Sequence, residues 1–282
     1  MNKTLNEIKN ILKSANVEEA EVKAKIILRN GANFSDSDLI LDKVPKNAQN
    51  LFEIAKKHAQ TGEPIQYLLN VADFMGEKFK VTKDVLIPRD ETELLVNLAI
   101  EKIDESKLTT ILDIGTGSGC IPCMIAKKVE NVEILGVDIS SSALMVALEN
   151  VQKFDLIKKV VFRKSDIFSA LRENEKFDLI ISNPPYIPHS LKSSLSNTVK
   201  NFEPHLALFA DNDGLDFYKK IILGAKNYLN KGGFVMFECG VFKNGQSQAQ
   251  KIAQMFEEEG FCEIEIKKDL AGIERNVCAR FL

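Results

Sequence analysis

The 282-residue sequence predicts an α/β fold: a mostly parallel, seven-stranded sheet covered by helices, preceded by a small helical domain and a β-hairpin linker. Three observations carry this. From Glu91 onward, short apolar runs alternate with helical stretches, the pattern of a sheet with helices on both faces. The first 70 or so residues show helical periodicity alone. Between them, residues 73–87 show short apolar alternation around Gly76 and again around Thr82–Asp84. The expected boundaries are 1–70 for the helical domain, 71–90 for the hairpin linker and 91–282 for the α/β domain.

The predicted strands are Thr109–Ile114, Val132–Ile139, Val160–Lys164, Asp178–Ser182, Phe234–Glu238, Cys262–Lys267 and Asn276–Phe281. Helices are expected at about 92–103, 119–129, 141–153, 214–229 and 246–259. The last two strands have only a short link near Leu270–Glu274, which permits an antiparallel hairpin. Ile187–Asp213 is the least patterned stretch and is expected to be a long functional loop. In the N-terminal part, Leu5, Ile8, Ile11 and Leu12 recur at helical spacing, as do Leu51, Ile54, Ala55 and His58. His58 therefore reads as a packed core histidine. Ser35 or Asp36 can cap a short helix, and Gly62 can end one.

Hydrophobic residues at 45% and charged residues at 27% match an ordinary globular protein with material for a core. No apolar run approaches the ~18 residues of a membrane span. The N-terminal residues lack the apolar stretch of a signal peptide, so a cytoplasmic location is expected. Five cysteines at irregular spacing argue against a disulfide framework. Cys120 and Cys123 form a C-x-x-C without the further ligands a metal would need, so buried structural thiols and no metal are expected. The net charge is -3, and residues 1–70 hold 10 Lys/Arg against 9 Asp/Glu. Neither favours nucleic acid as a partner.

Ile111–Ile114 ends a predicted strand and runs into Gly115, Thr116, Gly117, Ser118 and Gly119 before a helix. Glycines there let the backbone approach a ligand, and the helix N-terminus adds a positive dipole end. The spacing differs from the dinucleotide fingerprint. Asp138 closes the next strand and can accept hydrogen bonds from both hydroxyls of a ribose; helix capping is the alternative. Asp166 and Ile167 close the third strand, where the carboxylate suits an adenine amino group and the isoleucine its ring face. In this order, DIGTGSG, VD and SDIF resemble the cofactor motifs of Rossmann-like class I methyltransferases. The cofactor so implied is S-adenosyl-L-methionine, and its product S-adenosyl-L-homocysteine.

A predicted apolar strand then runs directly into Asn183–Pro184–Pro185–Tyr186. An amide nitrogen is a poor nucleophile because its lone pair is delocalised. The Asn183 side-chain oxygen and the Pro184 carbonyl can each accept one of its N–H groups as positive charge develops on nitrogen. Pro184 and Pro185 make a stiff loop, and Tyr186 can wall or stack a planar acceptor. A proline turn that merely ends a strand is the bland alternative. The motif resembles that of amino-methyltransferases acting on adenine in DNA, guanine in RNA or glutamine in proteins, and does not choose among them. A catalytically inert cofactor-binding module is a third class.

Further segments narrow the choice. Gly62–Leu68 (GEPIQYL), Phe74–Gly76, Leu86–Glu93 (LIPRDETE), Phe202–Pro204, Ala207–Leu208, Asp213–Tyr218 and Asp269–Gly272 with Arg275 resemble the peptide chain release factor N5-glutamine methyltransferases, the HemK/PrmC family. The resemblance spans essentially the whole chain. It implies methylation of the glutamine in the Gly-Gly-Gln motif of class-1 release factors, with the helical domain helping to bind them. It also implies that Gly115–Gly119, Asp138, Ile167 and Asn183 contact the cofactor and Asn183–Tyr186 the glutamine. A monomer with no direct nucleic-acid substrate and no membrane contact is expected. Arg89 could pair with an acid or meet substrate, and Glu91–Thr92 could start a helix under the cofactor's methionine end. Two segments depart from the pattern: Pro122–Cys123 after the glycine turn, and a longer stretch from Glu238 to Gln246 before Gln248.

Overall fold

In the computed structural model, which describes residues 2–242 and 244–282 and every side chain among them except Asp36 and Leu39, apolar stripes organise the first helices. Leu5, Ile8 and Leu12 of α1 (Lys3–Ser14) are buried together with Ala24, Ile27 and Leu28 of α2 (Ala20–Gly31). Beyond the short α3 (Asp36–Ile40), α4 (Ala48–Thr61) adds Leu51 and Ala55 to the same cluster. Each leucine or isoleucine among them contributes about 1.5–3 kcal/mol on burial. Asn2 caps α1 through Leu5 N, and Ser35 caps α3 in a reciprocal box with Asp38. Asp36, the other cap candidate, lies outside the described side chains. Gly62 ends α4 in the left-handed region, at φ 73°. His58 is buried with Nδ1 2.7 Å from the Glu63 carbonyl, and burial pulls its pKa down, as suits a neutral core histidine.

After α5 (Ile65–Leu69), β1 (Val71–Phe74) and β2 (Glu77–Lys80) form an antiparallel hairpin. Met75 and Gly76 both have positive φ, the geometry of a tight two-residue turn. The second alternation, at Thr82–Asp84, forms a turn and no strand: the Val81 N–H reaches back to the Asn70 carbonyl and the ladder stops. Met1–Lys83 together with Ser196–Phe202 make one unit, so the hairpin belongs with the helices. Within it, buried Glu63 lies 3.2 Å from Lys57 and 3.0 Å from Lys83.

Asp84–Leu195 and Glu203–Leu282 make the second unit. It begins with α6 (Asp90–Ser106), whose first turn carries Asp90, Glu91 and Glu93 against the helix dipole. Strands and helices then alternate: β3 (Thr110–Ile114), α7 (Cys120–Lys128), β4 (Glu133–Asp138), α8 (Ser141–Lys153), β5 (Val160–Lys164) and β6 (Phe177–Ser182). Ile187–Asp213 is not the irregular loop its sequence suggests. It contains β7 (Ile187–Pro188), α9 (Asn197–Phe202), β8 (Phe209–Ala210) and 3-10 segments at His189–Ser194, His205–Ala207 and, at its end, Asn212–Gly214. These pieces are too short to display a period. Last come α10 (Asp216–Ala225), β9 (Leu229–Glu238), α11 (Ala249–Glu258), β10 (Cys262–Lys268) and β11 (Glu274–Arg280).

The seven-stranded sheet has the order β10-β11-β9-β6-β3-β4-β5. Its β9-β6-β3-β4-β5 part is parallel, and β10 and β11 run antiparallel as the final hairpin. Order reverses at β3, so the carboxyl ends of β3, β4 and β6 open the crevice where such sheets bind ligands.

Just before α6, Arg89 Nη2 lies 2.6 Å from both carboxylate oxygens of Glu203, whose side chain is 1% exposed. Arg89 thus forms the structural ion pair. Replacing Arg89 with Ala should destabilise the protein by about 3 kcal/mol, the lower end of the cost of orphaning a buried charge. Arg89→Ala/Glu203→Gln should recover part of it. Urea unfolding checks this; a single variant as stable as wild type would show the pair to be idle.

Candidate active site

The site is built from strand ends. Ile114 of β3 pairs with Ser182 of β6, which pairs with Phe237 of β9. The residues that follow are Gly115, Asn183 and Glu238, so all three emerge at one level. The buried Ser182 hydroxyl donates to the Ile114 carbonyl at 2.6 Å and pins β6 beside β3.

Gly115, Gly117 and Gly119 all have positive φ, which only glycine adopts without strain. A Cβ at Gly115 would meet nothing within 4 Å, and one at Gly117 only a carbonyl at 3.9 Å, so these two leave open space. Gly119 is different: a Cβ there would press on Ala147 of α8 at 3.1 Å and on Phe162 at 3.3 Å. It is the residue that lets α7 sit close. Gly115 N and Thr116 N both donate to the Val137 carbonyl, and the Ser118 carbonyl accepts from Asn150 Nδ2. The turn is held from β4 and α8.

Asp138 Oδ2 accepts from Gly117 N, and Oδ1 from Ser140 N, each at 2.9 Å. The cap of α8 is Ser140, whose side chain accepts from Ala143 N. Asp138 therefore ties the glycine turn to β4 and keeps lone pairs on both oxygens. Burial raises its pKa. At the end of β5, Ile167 has φ 51°, costly for a β-branched residue and a mark of a constrained site. The Ser165 hydroxyl donates to the Ile167 carbonyl at 2.9 Å. Asp166 is exposed and its N–H donates to Ser169 Oγ, leaving the carboxylate to solvent.

Asn183 Nδ2 donates to Thr92 Oγ1 of α6 at 3.0 Å. Its Oδ1 and the Pro184 carbonyl accept no hydrogen bond among the described residues. The Tyr186 ring packs on Gly240, where a Cβ would come within 2.5 Å of it. Its hydroxyl lies 3.4 Å from Glu238 Oε1. Burial raises the Tyr186 pKa, so it remains a phenol. A small cavity of about 190 Å³ beside the ring is bordered by Leu191, Leu195, Val241 and Arg275.

Three groups have a place at the site that the sequence alone does not assign: Asp113 and Glu238, which lie in segments it singles out, and Gln248, whose role it leaves open. Asp113, just before the glycine turn, is fully buried, and neither carboxylate oxygen has a hydrogen bond among the described residues. Burial pushes it up to about 7, and the Asp138 charge adds to this. The signal was present, since an acid inside an apolar strand is costly without a partner. Glu238, at 1% exposure, is raised to about 7 by burial against the stabilising effect of the Thr92 hydroxyl and Arg275. Gln248 is the third. Its Nε2 donates to the Tyr186 and Asp213 carbonyls, and its Oε1 accepts from Gly240 N. The longer stretch from Glu238 turns back at a Val241–Ser247 bridge, which returns Gln248 to this position; Lys243 lies outside the described residues. Gly214 must lack a side chain, because a Cβ would stand 2.1 Å from the Tyr186 carbonyl.

Cys120 and Cys123 are buried thiols, raised by burial, Cys120 to about 12. Pro122 lies in the first turn of α7 and is buried.

The methyltransferase domain family model matches residues 105–274, and the PrmC N-terminal domain model matches residues 3–69. A release factor glutamine methyltransferase of Thermodesulfovibrio yellowstonii is 42% identical over 216 residues, 76% of this chain and 75% of that protein. One of Cereibacter sphaeroides is 34% identical over 272 residues, 95% of this chain and 94% of that protein. Among solved structures, the hMettl16 catalytic domain with a MAT2A 3'UTR hairpin shares the fold at TM-score 0.57 and 19% identity, covering 81% of this chain and 80% of that one.

Asp113 yields a pH test. Its carboxyl is held above the ordinary 3.8, up to about 7. Its stabilising contribution is therefore complete below about 3.8 and lost as pH rises through about 7. Between those limits the ligand-free protein should lose melting temperature relative to Asp113→Asn. Parallel melting curves for the two proteins would contradict this.

Proposed function

The chain belongs to the release factor glutamine methyltransferase family, and we propose that it transfers a methyl group from S-adenosylmethionine to the side-chain amide nitrogen of the glutamine in the Gly-Gly-Gln motif of class-1 peptide chain release factors, modulating translation termination. The observation that carries the mechanism is the pair of free acceptors, Asn183 Oδ1 and the Pro184 carbonyl, on consecutive residues at the end of β6.

The residues present fit the cofactor. Asp113 is a buried, unpaired carboxylate suited to an ammonium group. Open space over Gly115 and Gly117 admits a ligand against the backbone, with Thr116, Ser118 and Gly119 completing the turn. Asp138 retains acceptor capacity for ribose hydroxyls. Ile167, with Asp166 beside it, and the half-exposed Ile139 offer apolar faces and an acceptor for adenine. When bound, the cofactor supplies an electrophilic methyl on a sulfonium.

The chain's own residues do the rest. Asn183 Oδ1 and the Pro184 carbonyl accept the two amide N–H groups and hold the nitrogen lone pair in line. Both oxygens gain strength as positive charge grows on nitrogen, which lowers the barrier electrostatically. Pro184 and Pro185 fix the loop, and Gln248 holds the Tyr186 carbonyl at its exit. Near-attack positioning supplies much of the remaining effect. The proton leaves nitrogen after the methyl arrives, so no strong base is required. The helical domain, residues 1–70, serves recognition of the release factor, with the hairpin region 71–90 joining it to the methyltransferase domain. The protein acts as a cytoplasmic monomer on protein, with no nucleic-acid or membrane contact; no helix among the described residues is long and apolar enough to cross a membrane.

Labelled methyl should pass from the cofactor to a release factor and not to one whose Gly-Gly-Gln glutamine is replaced. Asn183→Ala should lower turnover by at least about 100-fold, the cost of one oriented transition-state partner, while cofactor affinity stays within a few-fold. Equal labelling of both release factors, or full turnover in the variant, would refute the assignment.

A further inference from the structure

The N-P-P-Y loop leaves β6 at Asn183, and its far end needs an anchor of its own. Pro184 and Pro185 have φ locked by their rings. Asn183 and Pro184 each precede a proline, which keeps both out of the helical region. The soft torsions that remain are ψ of Pro185 and those of Tyr186. Asn183 to Pro185 therefore moves nearly as one piece, and a displacement of Tyr186 is carried back to the Pro184 carbonyl.

The peptide after Tyr186 is held on both edges. Its N–H, from Ile187, donates to the Leu208 carbonyl at 2.9 Å. Its carbonyl, from Tyr186, accepts from Gln248 Nε2 at 3.0 Å. Gln248 Nε2 also donates to the Asp213 carbonyl at 3.1 Å, and Oε1 accepts from Gly240 N at 3.1 Å. The Gly240 carbonyl accepts from Gln248 N at 3.0 Å in return. The Tyr186 ring packs on that same Gly240, so the main chain and the ring of Tyr186 are both referred to Gln248. A primary amide suits this position: two carbonyls face its nitrogen and one N–H faces its oxygen. Half a turn of the group would set like against like. Gln248 is fully buried, so water does not stand in for these bonds. Gly214 keeps the space clear: a Cβ there would stand 2.1 Å from the Tyr186 oxygen and 2.5 Å from Gln248 Nε2.

We propose that Gln248 is a positioning residue for methyl transfer: its side-chain amide fixes the Tyr186–Ile187 peptide and the ring of Tyr186, and through the stiff proline arm it sets where the Pro184 carbonyl meets the acceptor amide. This rests on the methyltransferase reading above. It concerns the acceptor alone, since Tyr186, Asp213 and Gly240, the partners of the Gln248 side chain, are not among the residues assigned to the cofactor. Loss of the amide should therefore lower the rate of transfer and spare cofactor binding. A glutamine that merely held the fold together would lower both.

Two measurements test this. Gln248→Met keeps the length of the side chain without its amide, and Gln248→Glu keeps its shape but turns an oxygen toward two carbonyls. In turnover with a release factor, each should lower kcat by about 10- to 100-fold, the scale of a slightly misplaced reacting group, with release-factor KM and cofactor Kd within about threefold of wild type. Gln250→Met, at an exposed position two residues on, should leave kcat unchanged. The second measurement reads the peptide itself. Tyr186–Ile187 is the only Tyr-Ile step in the sequence, so carbonyl-13C tyrosine combined with 15N isoleucine gives this peptide a single resonance. In the ligand-free protein the Tyr186 carbonyl carbon should move upfield in Gln248→Met, as its donor is lost, and stay in place in Gln250→Met. Gly214→Ala reaches the same bond from the other side, and carries both readouts should Gln248→Met not fold. Wild-type kcat in Gln248→Met, a fall in kcat matched by an equal loss of cofactor affinity, or an unmoved Tyr186 resonance would overturn the proposal. Failure of the wild-type protein to label any release factor would instead remove the functional reading, and the carbonyl resonance would still decide whether Gln248 holds the loop.

Discussion

Everything at the site depends on one constraint of register. Three adjacent parallel strands end at the same level, with Ile114, Ser182 and Phe237 side by side. A slip of one residue in β6 would invert its side chains and turn Asn183 away from the crevice. The Ser182 hydroxyl bond to the Ile114 carbonyl guards against that slip from within the core. With register fixed, Gly115, Asn183 and Glu238 follow at one level on the three adjacent strands.

The second organising feature is charge placed where water is absent. Asp113 and Glu238 are both buried and both raised to about 7 by that burial. A buried acid without a strong partner lowers stability, and such groups cluster at sites that use them. Asp113 lies two residues before the first glycine of the turn and has no hydrogen-bond partner among the described residues. Glu238 receives the Tyr186 hydroxyl at 3.4 Å. Elsewhere the chain handles buried charge differently: Glu203 has Arg89, and Glu63 has two lysines. The contrast separates carboxylates paired with lysine or arginine from two buried acids at the strand ends that have no such partner within ion-pair distance among the described residues.

Much of the sheet was legible because strong apolar runs bounded by glycine and proline leave little choice. Val160–Lys164 and the helix at 141–153 are as the sequence predicts, and the final hairpin pairs antiparallel as its short link requires. Local motifs exposed the glycine turn, Asp138 and Asn183–Tyr186, since each is contiguous in sequence. What escaped was non-local. Thr92 and Asn183 are 91 residues apart, and Gln248 reaches a carbonyl 62 residues away. No period or motif reports such pairings. The short elements of Ile187–Asp213 escaped for another reason: two-residue strands and helical pieces of at most six residues carry too little repeat to detect.

Relatives 34% and 42% identical to this chain are release factor glutamine methyltransferases, and the same activity should leave a methyl group on a release factor glutamine in the cell. Mass spectrometry of release factors from cells with and without this protein tests it most directly. The added mass of one methyl, localised to the Gly-Gly-Gln glutamine, should be found only where the protein is present. An unmodified glutamine in both, or the same modification in both, would contradict it.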